Sequence, residues 1–181
     1  MLMELNLQIQ EETYSAYIYL AMAAWLEENG YKGMATWMRV QAREEKIHAD
    51  IFYNFITERQ GHVKLQAIQE PPDKWENPQA VFIAAYEHEV HISSRINHMV
   101  KIARDLNDNA TERMLHWFVD EQVEEEANTS EAVQQLEIAG DQANAVLMLD
   151  REMGTRVFAV PANTPFYPKP GQPAVVTGTA A

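Results

Sequence analysis

Gly and Pro, the residues that most disfavour a helix interior, number only 7 and 8 in 181 residues and fall at a few points along this chain. They leave four long stretches uninterrupted, and those stretches read as helices. The first spans residues 3–29 and ends at Asn29-Gly30; the second spans 34–60 and ends at Gln60-Gly61, both of them helix-stop signals. Asn77-Pro78 opens a third, to about Leu106, with Pro at the first helical position. The polar run Asn107-Asp108-Asn109 separates it from a fourth over 110–139. A shorter fifth helix is predicted over 141–153, between Gly140 and Gly154. Helices this long exceed the globular average and suit a bundle.

Linker lengths fix the directions. The first and third connections are a few residues long and force antiparallel neighbours. Residues 61–77 could span roughly 50 Å when extended, enough to return the chain along the whole bundle. The second and third helices then run parallel. The fold class expected is all-α: a four-helix bundle with a long crossover between the second and third helices, a short fifth helix over the end of residues 1–153, and a C-terminal tail over 154–181. The tail holds five of the eight Pro and only two charges, Arg156 and Lys169, so irregular structure is expected there.

Composition removes several function classes. Fourteen Lys+Arg against 27 Asp+Glu give a net charge of −13, which disfavours a nucleic-acid surface and favours a cationic partner. The acid concentrates on the fourth and fifth helices. With no Cys, thiol nucleophiles, disulfides, zinc knuckles and iron–sulfur clusters are excluded, so any metal must be held by Glu, Asp or His. No run approaches the roughly 18 apolar residues of a membrane span, and the first residues lack a basic, then apolar, export signal. A cytoplasmic location is expected, with neither membrane nor nucleic acid as partner.

The core-facing 3–4–3–4 stripe carries the chemistry. On the first helix it reads Leu5, Ile9, Glu12, Ala16, Tyr19, Ala23, Leu26, and on the second Met34, Met38, Gln41, Glu45, His48, Phe52, Phe55. The third gives Phe82, Tyr86, Glu89, Ser93, Ile96, Val100, Ala103, and the fourth Leu115, Phe118, Gln122, Glu125, Thr129, Ala132, Leu136. Each stripe holds one Glu and none holds a Lys or Arg. Unpaired buried carboxylates cost several kcal/mol apiece, against a total stability of about 5–15 kcal/mol. Two divalent cations would balance four of them. His48, three residues after Glu45, adds an imidazole to the same helical face, and carboxylate plus imidazole without thiolate suits iron or manganese.

Four stretches carry a family resemblance: Glu12-Thr13-Tyr14-Ser15-Ala16-Tyr17-Ile18-Tyr19; Arg43-Glu44-Glu45-Lys46-Ile47-His48; Tyr86-Glu87-His88-Glu89; and Trp117 through Glu126. Over residues 4 to 153 the chain resembles the ferritin family, specifically its non-haem bacterial and archaeal members, whose bundles hold two metals on Glu and Glu-x-x-His ligands. The resemblance implies that Glu12, Glu45 and His48 hold a first iron, with Glu45 bridging, while Glu89 and Glu125 hold a second. Gln122 would neighbour the oxygen site, and Tyr19 matches the tyrosine placed beside the diiron centre. Glu44, Glu121 and Glu124, with Glu125, match a third iron site. Bacterioferritins carry a second Glu-x-x-His on the fourth helix and a haem-binding Met after the second-helix Glu; Gln122, Glu125 and Lys46 stand there instead, so haem is not expected. The remaining histidines, His62, His88, His91, His98 and His116, are expected at the surface or in packing.

What the resemblance implies for function is iron storage with ferroxidase activity: Fe(II) oxidised by O2 or hydrogen peroxide, and ferric mineral kept in a hollow homo-oligomeric shell of 24 chains. The fifth helix would line its four-fold axes and the start of the fourth helix its three-fold pores. Glu112 falls where ferritins place a pore acid, whereas Leu115 stands in place of a second. A diiron oxygenase or a manganese catalase on the same bundle, and a structural shell subunit with vestigial ligands, are the alternatives.

Overall fold

The computed structural model describes residues 1–160 and 163–167, and the part of the predicted tail beyond lies outside the described residues. Five helices and, among the described residues, no strand make up the chain: α1 (Leu2–Glu28), α2 (Lys32–Glu58), α3 (Pro78–Asp105), α4 (Asn109–Ala139) and α5 (Ala143–Met153). All five predicted helices are present, within two residues of their expected ends.

Local chemistry sets those ends. Asn77 caps α3 by accepting from the Ala80 amide at 2.8 Å, with Pro78 behind it, and Asp108 caps α4 through the Thr111 amide. Gly30 takes φ +90°, letting the Tyr31 amide reach back to the Leu26 carbonyl at 2.8 Å and close α1. At the end of α2 the left-handed residue is Gln60 (φ 58°), not the glycine that the sequence suggested. Gly61 is required one place later, because a Cβ there would press on Ile56 Cγ2 at 2.9 Å. Gly33 also differs from expectation by lying inside α2. Any Cβ at Gly33 would overlap the Asp150 carbonyl oxygen, so this glycine permits α5 to cross the first turn of α2. The Asp150 side chain then caps that turn, accepting from the Met34 amide at 2.9 Å.

The crossover runs the length of α1. Asn6 binds the His62 carbonyl and the Lys64 amide, Gln10 donates to the Ala67 carbonyl, and Trp75 packs edge-on against Trp25. Since the contacts on α1 climb from Asn6 to Trp25 as the linker advances, α3 starts beside the C-terminal end of α1 and runs parallel to α2.

Inside the bundle the apolar core is divided in two. One cluster gathers Tyr19, Met22, Leu26, Met34, Met38 and Phe82; the other gathers Ile9, Ile51, Phe52, Ile92, Ile96 and Phe118. A belt of polar side chains separates them, formed by Glu12, Gln41, Glu45, His48, Glu89, Gln122 and Glu125, all buried.

After Met153 the described chain has neither helix nor strand, as expected of the tail, and residues 154–160 pack along α2.

Candidate metal centre

Each side chain of the belt reaches the centre because it stands where its helix would otherwise place a core residue. Glu12, Glu45 and His48 bring one ligand atom each to within 4.8 Å of one another, and all three are buried. His48 Nδ1 lies 3.3 Å from Glu45 Oε2, and the imidazole is packed edge-on by Trp117 and Phe118, with ring centres 5.7 and 5.6 Å away. Two ligand oxygens in this group, Glu12 Oε2 and Glu45 Oε1, are buried and receive no hydrogen bond from any other side chain or amide; without a cation, only a proton shared between the two carboxyls can join them. Groups of this kind cost roughly 1–3 kcal/mol each when unpaired, and more if charged. A cation resting between them would satisfy both. Oxygen and imidazole donors with no thiolate fit iron or manganese.

Glu89 and Glu125 complete the belt from α3 and α4, but internal donors hold them. The Tyr19 phenol donates to Glu89 Oε1, while Gln122 Nε2 donates to Glu89 Oε2 at 3.1 Å. Glu125 Oε2 accepts from Gln41 Nε2 at 2.7 Å, and the Gln41 carbonyl oxygen is left buried and unpartnered. Gln8 Nε2 similarly donates to Glu12 Oε1 at 2.9 Å, and Gln8 is itself turned by Arg95, whose Nε donates to Gln8 Oε1 at 3.0 Å. Sequence reasoning assigned no role to Gln8, Gln41 or Arg95. A signal existed for the two glutamines, each standing four residues before a candidate ligand and so one helical turn away on the same face.

Crowding buried acids disfavours their charge. Burial, and then the facing Glu45 carboxylate, pushes Glu12 up from 4.5 to about 8. Burial followed by Glu125 moves Glu89 to about 8, and burial with Glu89 and Glu125 raises Glu45 well above the carboxylate range. Burial also raises the Tyr19 phenol, which stays protonated as a donor. The belt thus favours protonated carboxyls, and a cation binding there would have to displace those protons.

Beside the belt, between α2 and α4, lies a cavity of about 220 Å³ lined by Glu44, Glu121, Glu124, Glu125, His48 and Trp117. The structure thus brings the three predicted third-site acids to one space and joins it to two residues of the belt. Burial raises Glu44 to about 7 although the Arg156 guanidinium beside it lowers it, and burial raises Glu121 as well. Elsewhere, Glu112 accepts from Arg104 at 2.6 Å. His62, His91, His98 and His116 are exposed, while His88 is half-buried, hydrogen-bonded to Ser15 at 2.7 Å and driven down to about 4 by burial and then by His91. No helix among the described residues is long and apolar enough to cross a membrane.

The ferritin-like domain family matches residues 2–139. A bacterial non-heme ferritin of Staphylococcus aureus (strain MRSA252) is 36% identical over 154 residues, covering 85% of this chain and 93% of that protein. One from Bacteroides fragilis (strain 638R) is 38% identical over 152 residues, covering 84% and 94%. Among solved structures, an open pore ferritin from the archaeon Archaeoglobus fulgidus superposes with a TM-score of 0.85 at 46% identity, covering 86% of this chain and 96% of the other. A humanized archaeal ferritin gives 0.87 at 44%, covering 88% and 96%. Bundle, crossover, polar belt and these likenesses agree: the chain belongs to the ferritin family.

Proposed function

We propose that this protein is an iron-storage ferroxidase. Fe(II) binds in the belt, one ion on Glu12, Glu45 and His48 and a second on Glu89 and Glu125, with Glu45 placed between them. The observation that carries the reading is the pair of buried carboxylate oxygens on Glu12 and Glu45, given no hydrogen bond by any other side chain or amide, beside the His48 imidazole. Two Fe(II) ions give one electron each to O2, which takes up two protons and leaves as hydrogen peroxide; with peroxide as oxidant the same two electrons yield water. The chain's part is to position the two ions together and to favour Fe(III), whose extra charge the carboxylates stabilise.

The residues around the ions divide the work. Gln122 and the Tyr19 phenol fix Glu89, Gln41 fixes Glu125, and Gln8 fixes one oxygen of Glu12 so that the other faces the centre. Glu44, Glu121 and Glu124, with Glu125, form a third iron position in the adjoining cavity. The bundle carries no bacterioferritin-like haem Met, as Lys46 stands at that place and is exposed. Copies of the chain assemble into a homo-oligomeric shell, a 24-mer as in the family, that keeps the ferric product in the cytoplasm.

The test is Fe(II) oxidation in air, followed by ferric absorbance. Glu45→Ala or His48→Ala slows the initial rate by at least tenfold, the scale expected for loss of a metal ligand or its orienting partner. Unchanged kinetics would remove the assignment. Elution near twice the 20.7 kDa chain mass, in place of a large shell, would favour a discrete diiron oxygenase or manganese catalase.

A further inference from the structure

The chain that follows α5 turns back along α2. Gly154 packs against Gly33, where a Cβ on Gly154 would come within 3.0 Å of the Gly33 Cα, so the segment starts at the first turn of α2. From there it follows the helix downward. The Arg156 guanidinium lies 4.5 Å from the centre of the Trp37 ring, and Phe158 lies beneath the Arg43 guanidinium at 6.0 Å. Near the other end of α2, Asn54 Nδ2 donates to the Phe166 carbonyl at 2.7 Å and the Phe55 and Phe166 rings meet edge to face. This path carries Arg156 to the acidic cavity, where its Nη2 donates to Glu44 Oε2 at 2.7 Å. Ala159 of the same segment lines the cavity too, and Arg156 is the one Lys or Arg among its lining residues.

We propose that Arg156 is a tethered cation that keeps the third metal position closed: its guanidinium pairs with Glu44 within the acid cluster, and a metal ion enters only by displacing it together with the segment that carries it. The inference rests on reading that cluster as a metal position.

Three physical points support it. Arginine stays charged at any accessible pH, so proton loss cannot vacate the position and movement must. Both partners are mostly shielded, with side-chain exposures of 23% for Arg156 and 18% for Glu44, so solvent screens their attraction less than it would a surface pair. A dication and a guanidinium in one small cavity repel each other through the same poorly screened medium. Arg156 is the one permanent positive charge among the cavity's lining residues; among the described residues it forms an ion pair with Glu44 alone, and its Nη1 is buried without a partner. Binding at the third position and release of the segment are therefore linked, and linkage works in both directions.

The experiment is anaerobic calorimetric titration of the iron-free assembled protein with Zn(II), alongside hydrogen exchange of residues 155–160. Arg156→Gln should tighten the third binding event by about tenfold, the factor expected for removing one charge-assisted hydrogen bond that competes with metal, and leave the two belt events unchanged. Glu44→Gln added to that variant should abolish the gain. In the unmodified protein, exchange protection of 155–160 should fall as the third equivalent binds, and not during the first two. A third event unchanged or weakened in Arg156→Gln, or protection that survives saturation, overturns the proposal. Failure of both proteins to show the two belt events would instead strike the metal-centre reading itself.

Discussion

Gln41 Nε2 donates to Glu125 Oε2 across the α2–α4 interface at 2.7 Å, so a neutral amide on one helix sets the orientation of a candidate ligand on another. Replacing Gln41 by Leu keeps the volume and removes the donor. Metal affinity at the Glu89–Glu125 half of the belt should fall by about 10- to 100-fold, the usual effect of losing a partner that orients a ligand, while the Glu12–Glu45–His48 half changes less. Anaerobic Fe(II) titration resolves the two events. Equal weakening of both, or of neither, would show that Gln41 does not act through Glu125.

Tyr19→Phe deletes the donor to Glu89 Oε1 and leaves a buried acceptor without it. The metal-free protein should lose about 1–3 kcal/mol of stability, because Gln122 serves only the other oxygen of Glu89. Metal loading should recover most of that loss by engaging the freed oxygen. Denaturant midpoints with and without Zn(II) measure the difference, and a loss of the same size in both states would contradict it.

Glu12 and Glu89 titrate near 8 in the metal-free fold against an ordinary value of 4.5. Below pH 4.5 folded and unfolded chains hold the same protons and this contribution to stability is complete. Between about 4.5 and 8 the folded state retains protons that the unfolded state has released, so stability must fall as pH rises. The melting temperature of chelator-treated protein should decline over that window. Glu12→Gln should flatten the decline, as a permanently neutral side chain has no proton to lose. A profile that is level or rises from pH 5 to 8, or a Gln variant as steep as the parent, would refute the account.

Gly33→Ala places a methyl group where the Asp150 carbonyl already stands. The α2–α5 crossing must open, at a cost of about 1–3 kcal/mol or more, and the cap from Asp150 to the Met34 amide is lost with it. Hydrogen exchange should quicken throughout α5 and in the first turn of α2, with little change in α3. Unaltered exchange in α5 would mean that the crossing tolerates a wider spacing.

How far the sequence could be read follows from which features are periodic. Glu12, Glu45, His48, Glu89, Gln122 and Glu125 stood out because a 3–4–3–4 stripe must face the core, and every one of them is buried. The crossover was legible as a length. Gly33 was not legible, because what excludes a side chain there is the Asp150 carbonyl, far away in sequence; at the end of α2 the stop signal was legible, but not that Gln60 rather than Gly61 takes the left-handed turn. Gln8 and Gln41 had the right positions, yet an amide on a core stripe does not announce which carboxylate it will meet. Arg156 lay deepest out of reach, since its partner Glu44 is 112 residues away and no repeat connects them.

The divided core has a bearing on use. A container that fills and drains must pass through many states of loading without losing its walls. Here each half of the bundle is sealed by its own greasy plug, Phe82 and Met38 on one side, Phe52 and Phe118 on the other, so that, on the proposed function, ion exchange at the midplane would leave the packing on both sides in place.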